Sequence, residues 1–419
     1  MFLLYNLLLT IFSPFWVPWM WWRARQRAEA PNWKERTGNF TLPKKERPRI
    51  WFHAVSVGEV VASIPVLHAI REAWPQAEIV LSVTTSSGHK TATDRLTGLY
   101  DHLIYFPIDV ARFALASVGR VKPDVVVIME TELWMNFLWA AKVWDARTLL
   151  VNGRISDRSY PRARRLKFFY RALLKMVDRC LMQTPQDMER ILDLGAASAE
   201  VVGNCKFDQA LDTPTTALAG LNLDPQKLTI VIGSTRGVEE EEFVVAALAK
   251  LDPRLERIQV LHAPRHIETA PGLAARARRT FGACALRSLG ETGAYLVLDT
   301  YGELAAAYRS ADIAVIGGGF ENLGGQNLVQ PLALGIPVVH GPHMQNFRDV
   351  AESARRVGAT RVCATADDLA ATLDELLNSP SERLEMGRAG HQLIQSGAGA
   401  SQRIAQAIVA ESERGRPVR

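Results

Sequence analysis

From residue 49 onward, short apolar runs alternate with longer stretches whose apolar residues recur at helical spacing, and this alternation is the tightest constraint on the fold. Runs at 49–55, 78–84, 102–106, 124–129, 148–151 and 180–183 read as strands, with helical stretches between them. A run such as Val125-Val126-Val127-Ile128 has no polar side to show to water, so it belongs in a parallel sheet covered on both faces. A stretch containing Pro, Thr and Gly at 211–225 breaks the cycle, and strands at 228–233, 258–262, 294–298, 313–316 and 337–340 begin a second one. At 419 residues the chain exceeds what a single core usually supports, so the expectation is two α/β domains with a ligand cleft between them.

The first 50 residues differ from the rest. They hold nine Lys/Arg against three Asp/Glu, while the remainder holds 40 basic and 41 acidic groups. The net charge of +5 is therefore local, which argues against a nucleic-acid binder and for one basic surface. Residues 1–22 carry no charge, end in Trp16, Trp19, Trp21 and Trp22, and are followed by Arg23, Arg25 and Arg27. Some 20 apolar residues with interfacial Trp and a basic flank predict a membrane anchor, with everything after Arg23 on the cytoplasmic side. Pro14 and Pro18 leave a spanning helix and an in-plane anchor both open. A second basic segment, 154–179, contains nine Arg/Lys around an apolar stripe, and suits either core packing with a solvated face or contact with anionic lipid. Four scattered cysteines without C-x-x-C spacing fit neither a disulfide framework nor a zinc site.

In open α/β sheets, ligands sit beyond the carboxyl ends of strands, and the short polar motifs fall there repeatedly. Ser56-Val57-Gly58-Glu59 turns a strand into a helix. Glu59 is either a residue favoured by the helix dipole, which would keep it ionised, or a general base. Glu130-Thr131-Glu132 follows the apolar strand at 125–128, where an unpaired acid is a poor fold-maker. Gly233-Ser234-Thr235 precedes an acidic helix start and is read as an anion site or as ordinary capping. His262 and His266 have Pro264 between them and lack a third ligand, so zinc is disfavoured and Arg265 is the better candidate, as a phosphate contact. Residues 317–327 place five glycines within nine positions, permitting close backbone approach to a ligand, with a helix expected from Asn327.

Taken together, these blocks resemble the bacterial Kdo transferases, which add 3-deoxy-D-manno-octulosonic acid (Kdo) from CMP-Kdo to a lipid A precursor. The resemblance runs through HAVSVGE (53–59), METELW (129–134), GNCKFD (203–208), GST (233–235), APRH (263–266), YGEL (301–304), GGGF…GGQN (317–327) and GPHMQNF (341–347). It implies a GT-B fold of two Rossmann-like domains facing a cleft, and inversion at the anomeric carbon. The implied parts are an anchor and basic flank at 1–27, an acceptor domain at 28–210, and a CMP-sugar domain at 211–395. A C-terminal helix at 396–419 would pack back on the first domain. Carried onto matching positions, Glu59 would be the catalytic base, with Glu130 and Lys206 stabilising the transition state. CMP would be held by Pro264, Arg265, Tyr301, Gly302, Glu303, Asn327, Leu328, Val329 and Gln330, with Ser234 and Thr235 nearby. No metal or other cofactor is expected, and the site would lie at the inner membrane's cytoplasmic face, beside anionic lipid. The chain departs from the family pattern at Gln330, where a glutamate usually accepts ribose hydroxyls, and at Gln326, Arg236 and Met135. A GT-B enzyme using another donor, such as a UDP-sugar, and a non-catalytic nucleotide- or lipid-binding relative are the rival readings.

Overall fold

The computed structural model describes residues 1–26, 32–157, 159–210 and 216–414. Arg27 of the basic flank, Arg158, the first part of the expected linker (211–215) and the last residues (415–419) lie outside that description. The chain divides into two compact units, Met1–Asp208 with the chain from Gly397 on, and Gln209–Ser396.

The first unit is built on a seven-stranded sheet: β1 (Arg49–His53), β2 (Glu78–Val83), β3 (His102–Tyr105), β4 (Val125–Met129), β5 (Arg147–Gly153), β6 (Arg179–Met182) and β7 (Ala199–Val201), in the order β3-β2-β1-β4-β5-β6-β7. The second contains β8 (Leu228–Thr235), β9 (Ile258–Pro264), β10 (Ala285–Leu286), β11 (Tyr295–Val297), β12 (Ile313–Ile316), β13 (Val338–His340) and β14 (Thr360–Val362), in the order β10-β11-β9-β8-β12-β13-β14. Every ladder is parallel. The strands β1, β2, β4 and β9 are buried along their whole length, as strands covered on both faces are, and β4 is apolar throughout. The sequence reading missed β7, β10 and β14, which have only two or three residues each and so carry no periodicity to detect.

Two additions complete the first unit. The helix Ala400–Arg414 lays Ile404 and Ile408, both fully buried, into the core beneath the sheet, beside Val66 and Ile70 of the helix Val57–Ala73. Its Glu411, 1% exposed, pairs with Arg147 Nη2 at 2.5 Å, and Asp208 accepts the backbone N–H groups of Gly399 (2.6 Å) and Ser401 (2.7 Å).

At the other end of the chain, the helix Phe2–Ile11 docks by one face only. Phe2 packs on Trp139, Tyr5 donates to Asp109 at 2.8 Å, and Asn6 donates to Asn136 at 2.8 Å. Its other face, with Leu3, Leu4, Leu7, Leu8 and Ile11, is exposed, as are Phe12, Phe15, Trp19 and Trp22 after it. The helix Ser13–Gln26 follows with a 69° bend, and among the described residues no single helix is long and apolar enough to cross a membrane.

Candidate active site

Beyond the carboxyl end of β1 the chain turns through Val55 and Ser56 into the helix Val57–Ala73. Ser56, in extended conformation, caps that helix by accepting the N–H of Glu59, and the Glu59 carboxylate reaches back. It accepts the Val55 N–H at 2.8 Å and the Ser56 hydroxyl at 3.3 Å, so the first turn is closed from both sides. One strand over, β4 delivers Glu130 with φ +55°, a left-handed conformation that a non-glycine residue holds at a cost of about 1–3 kcal/mol. The Glu130 N–H is tied to Val151 O at 2.9 Å, and its carboxylate meets Lys206 Nζ at 3.3 Å. Lys206 is buried in the short turn Cys205–Ala210, which the Asn152 side chain fixes by accepting the Cys205 N–H. Glu59, Glu130 and Lys206 thus gather at one end of the first sheet.

The surroundings of Glu59 favour its protonated form. Burial above all, and then the Glu130 and Glu132 charges, push Glu59 up to about 8, against the opposing bonds from Val55 and Ser56. The expectation that the helix N-terminus keeps Glu59 ionised does not hold: a dipole term of about 0.3–1 kcal/mol is too small to offset burial beside like charges. Burial and Glu130 also raise Glu132. His53, at the end of β1, is pushed down to about 3 by burial and is therefore neutral. Its Nδ1 reaches the Ser82 side chain at 2.9 Å and its ring stacks on Phe106 at 3.8 Å, while Nε2 is buried with no hydrogen-bond partner among the described residues. The sequence reading quoted His53 within a motif and gave it no role.

In the second unit, the candidate residues also gather at strand ends. Arg265 leaves β9 with an exposed guanidinium that has no ion-pair partner among the described residues. Its backbone N–H is held by Thr235 O at 2.8 Å, and the buried Thr235 hydroxyl meets His262 Nε2 at 2.8 Å. Pro264 is buried; Tyr301 is exposed and Gly302, at φ +84°, has open space where a side chain would project. Glu303 is bound to Arg287 at 3.1 Å and to the Thr300 hydroxyl. Leu328 and Val329 are fully buried, so only their backbone can face a ligand, and the helix after Asn327 spans just Val329–Ala333, with Gln330 half-buried.

The glycine-rich segment is organised by a residue that the sequence reading counted only as part of an acidic helix start. Glu240, fully buried, accepts the N–H groups of Arg236 (2.6 Å), Gly318 (2.7 Å) and Phe320 (3.1 Å). It sews the Ser234-Thr235 turn to the loop after β12. Gly317 lies so close to this turn that a Cβ would sit 2.5 Å from the Thr235 backbone. At that position, glycine serves approach by the protein's own chain.

Residues 31–209 match the family described as 3-Deoxy-D-manno-octulosonic-acid transferase (kdotransferase). The 3-deoxy-D-manno-octulosonic acid transferase of Bordetella pertussis is 33% identical over 96% of this chain and 98% of that protein. That of Haemophilus influenzae is 28% identical over 88% and 87%. Among solved structures, Acinetobacter baumannii MurG superposes with a TM-score of 0.56 at 16% identity, covering 87% of this chain and 99% of that one. The calicheamicin glycosyltransferase CalG4 superposes with a TM-score of 0.54 at 15% identity, covering 89% and 100%. At such identities the likeness establishes the fold, a GT-B arrangement of two parallel-sheet α/β units.

Proposed function

Because the chain belongs to the family of 3-deoxy-D-manno-octulosonic acid transferases, we propose that it transfers Kdo from CMP-Kdo to a lipid A precursor, with inversion and without a metal ion. The observation that carries this reading is the acid pair with its lysine: buried Glu59 raised toward neutrality, and half-buried Glu130 held in a strained conformation against Lys206. Transfer requires that the acceptor hydroxyl lose its proton as the glycosidic bond forms. Glu59, a carboxylate pushed up to about 8, is matched to that task near neutral pH. Lys206 and Glu130, paired at 3.3 Å, are the groups assigned to stabilising charge in the transition state.

On the donor side, the exposed Arg265 suits the single phosphate of CMP, with Pro264, Tyr301, Gly302 and the backbone of 327–330 completing the nucleotide contacts. Ser234 and Thr235 contribute through the turn that holds Arg265 in place. Glu303 contributes by way of Arg287, which already claims its carboxylate.

Attachment to the cytoplasmic face of the inner membrane is part of the proposal. The outward face of Phe2–Ile11, with Phe15, Trp19 and Trp22, supports an in-plane anchor. The exposed Arg162, Arg164 and Arg165, beside Leu166 and Phe168, suit anionic lipid.

The test is incubation of the full chain with CMP-Kdo generated in situ and a tetraacylated lipid A precursor, followed by mass spectrometry. The expected product is the precursor enlarged by Kdo. Transfer from a UDP-sugar in place of CMP-Kdo would refute the donor assignment.

A further inference from the structure

A cavity of about 310 Å³ lies in the first unit between the N-terminal helices and the carboxyl ends of the sheet strands. Its outer wall is Tyr5, Leu9, Trp16 and Trp19; its inner wall includes Phe106, Ile108 and Trp134. We propose that this cavity receives one acyl chain of the lipid acceptor whose hydroxyl is presented to Glu59. The inference rests on the reading of the acceptor as a lipid and goes beyond it by assigning the chain a place.

Two observations on the molecule point the same way. The first is size and character. At about 310 Å³ the cavity is of the size that small-ligand sites have, enough for part of an alkyl chain. Its exposed lining is mostly apolar, with Arg36, Thr84 and Asp109 as the polar members besides Tyr5, and such a surface suits an alkyl chain.

The second is continuity with the acid site. Thr84 lines the cavity, and its N–H bonds to Val55 O at 3.4 Å, while the Val55 N–H bonds to Glu59 Oε2 at 2.8 Å. Phe106, also in the lining, carries the stacked ring of His53. The cavity therefore opens off the same sheet end that holds Glu59, with one residue, Val55, between the cavity wall and the carboxylate.

The test uses full-length protein with two acceptors, the tetraacylated precursor and the same disaccharide stripped of its acyl chains. Filling the cavity by Leu9→Trp, or from the opposite wall by Ile108→Phe, should raise KM for the acylated acceptor about tenfold or more, the weight of a few methylenes losing their burial. Turnover of the stripped acceptor should not change. In parallel, binding of a fluorescent long-chain fatty acid to detergent-solubilised wild type should be lost in both variants.

Equal effects on both acceptors, or unchanged fatty-acid binding, overturns the proposal. So does a variant that loses vesicle binding while its preference for the acylated acceptor persists, because the cavity would then serve bulk lipid. If wild type transfers Kdo to neither acceptor, the functional reading fails, and the fatty-acid measurement still decides the cavity.

Discussion

Glu59 is held by opposing influences: its bonds to Val55 and Ser56 favour the carboxylate, and its burial beside Glu130 favours the acid. With the balance at about 8, only about a tenth of the groups are ionised at pH 7, so kcat/KM for transfer should climb through pH 7 and level off above 8. A profile flat from pH 6 to 9 would remove Glu59 from the base role. Glu59→Gln should lower turnover about 10²–10⁴-fold while leaving CMP affinity unchanged. The same substitution bears on stability. A carboxyl raised from its ordinary 4.5 to about 8 in the fold destabilises it progressively as pH rises through that window, because the unfolded chain gives up its proton first. Glu59→Gln should therefore raise Tm relative to wild type at pH 8, with the gain fading toward pH 5. Arg265→Ala should weaken CMP binding by roughly 1.5–3 kcal/mol by calorimetry. Glu59, Glu130 and Arg265 could be picked from the sequence because each follows an apolar run at a strand end. Glu59's protonation could not, since it depends on a strand more than sixty residues away, and neither could Glu240, whose three backbone partners are assembled only by the fold.

At the scale of elements, the N-terminal segment shows how composition and geometry divide the information. A charge-free, Trp-ended stretch was readable as membrane-seeking, but its docking through Tyr5–Asp109 and Asn6–Asn136 pairs residues over a hundred positions apart, and nothing local announces such pairs. Removing residues 1–22 should shift the protein from the membrane to the soluble fraction of lysed cells. Full-length protein recovered wholly as soluble would refute the anchor. The truncated core should melt somewhat lower, because Asp109 and Asn136 lose their partners from the first helix. The glycine-rich segment teaches the converse. Its spacing was legible as an invitation to close approach, yet at Gly317 the approaching group is the Thr235 backbone.

Over the whole chain, strand alternation sufficed to read two parallel sheets, because a doubly covered strand has no polar side to disguise it. The order of strands within each sheet, and the edge strands β7, β10 and β14, lay beyond that reading, since pairing partners are set by crossovers and not by local composition. The two units also differ in how they are completed. The second is one continuous stretch with its own core, whereas the first borrows its last helix from the far end of the chain. Burying Ile404 and Ile408 is worth about 3–6 kcal/mol, comparable to the whole net stability of many domains. Deleting the chain from Gly397 on should leave residues 209–396 with a cooperative melt and abolish that of the first unit, as followed by calorimetry. The ribosome meets this arrangement in time order. The strands of the first sheet emerge early, but that sheet waits with an open flank until the helix Ala400–Arg414 arrives. Asp208 and Arg147 are in place long before Ser401 and Glu411 exist to meet them. The first unit therefore closes only after the second has been made, and a chain that stops short of Gly397 carries an unfinished first core.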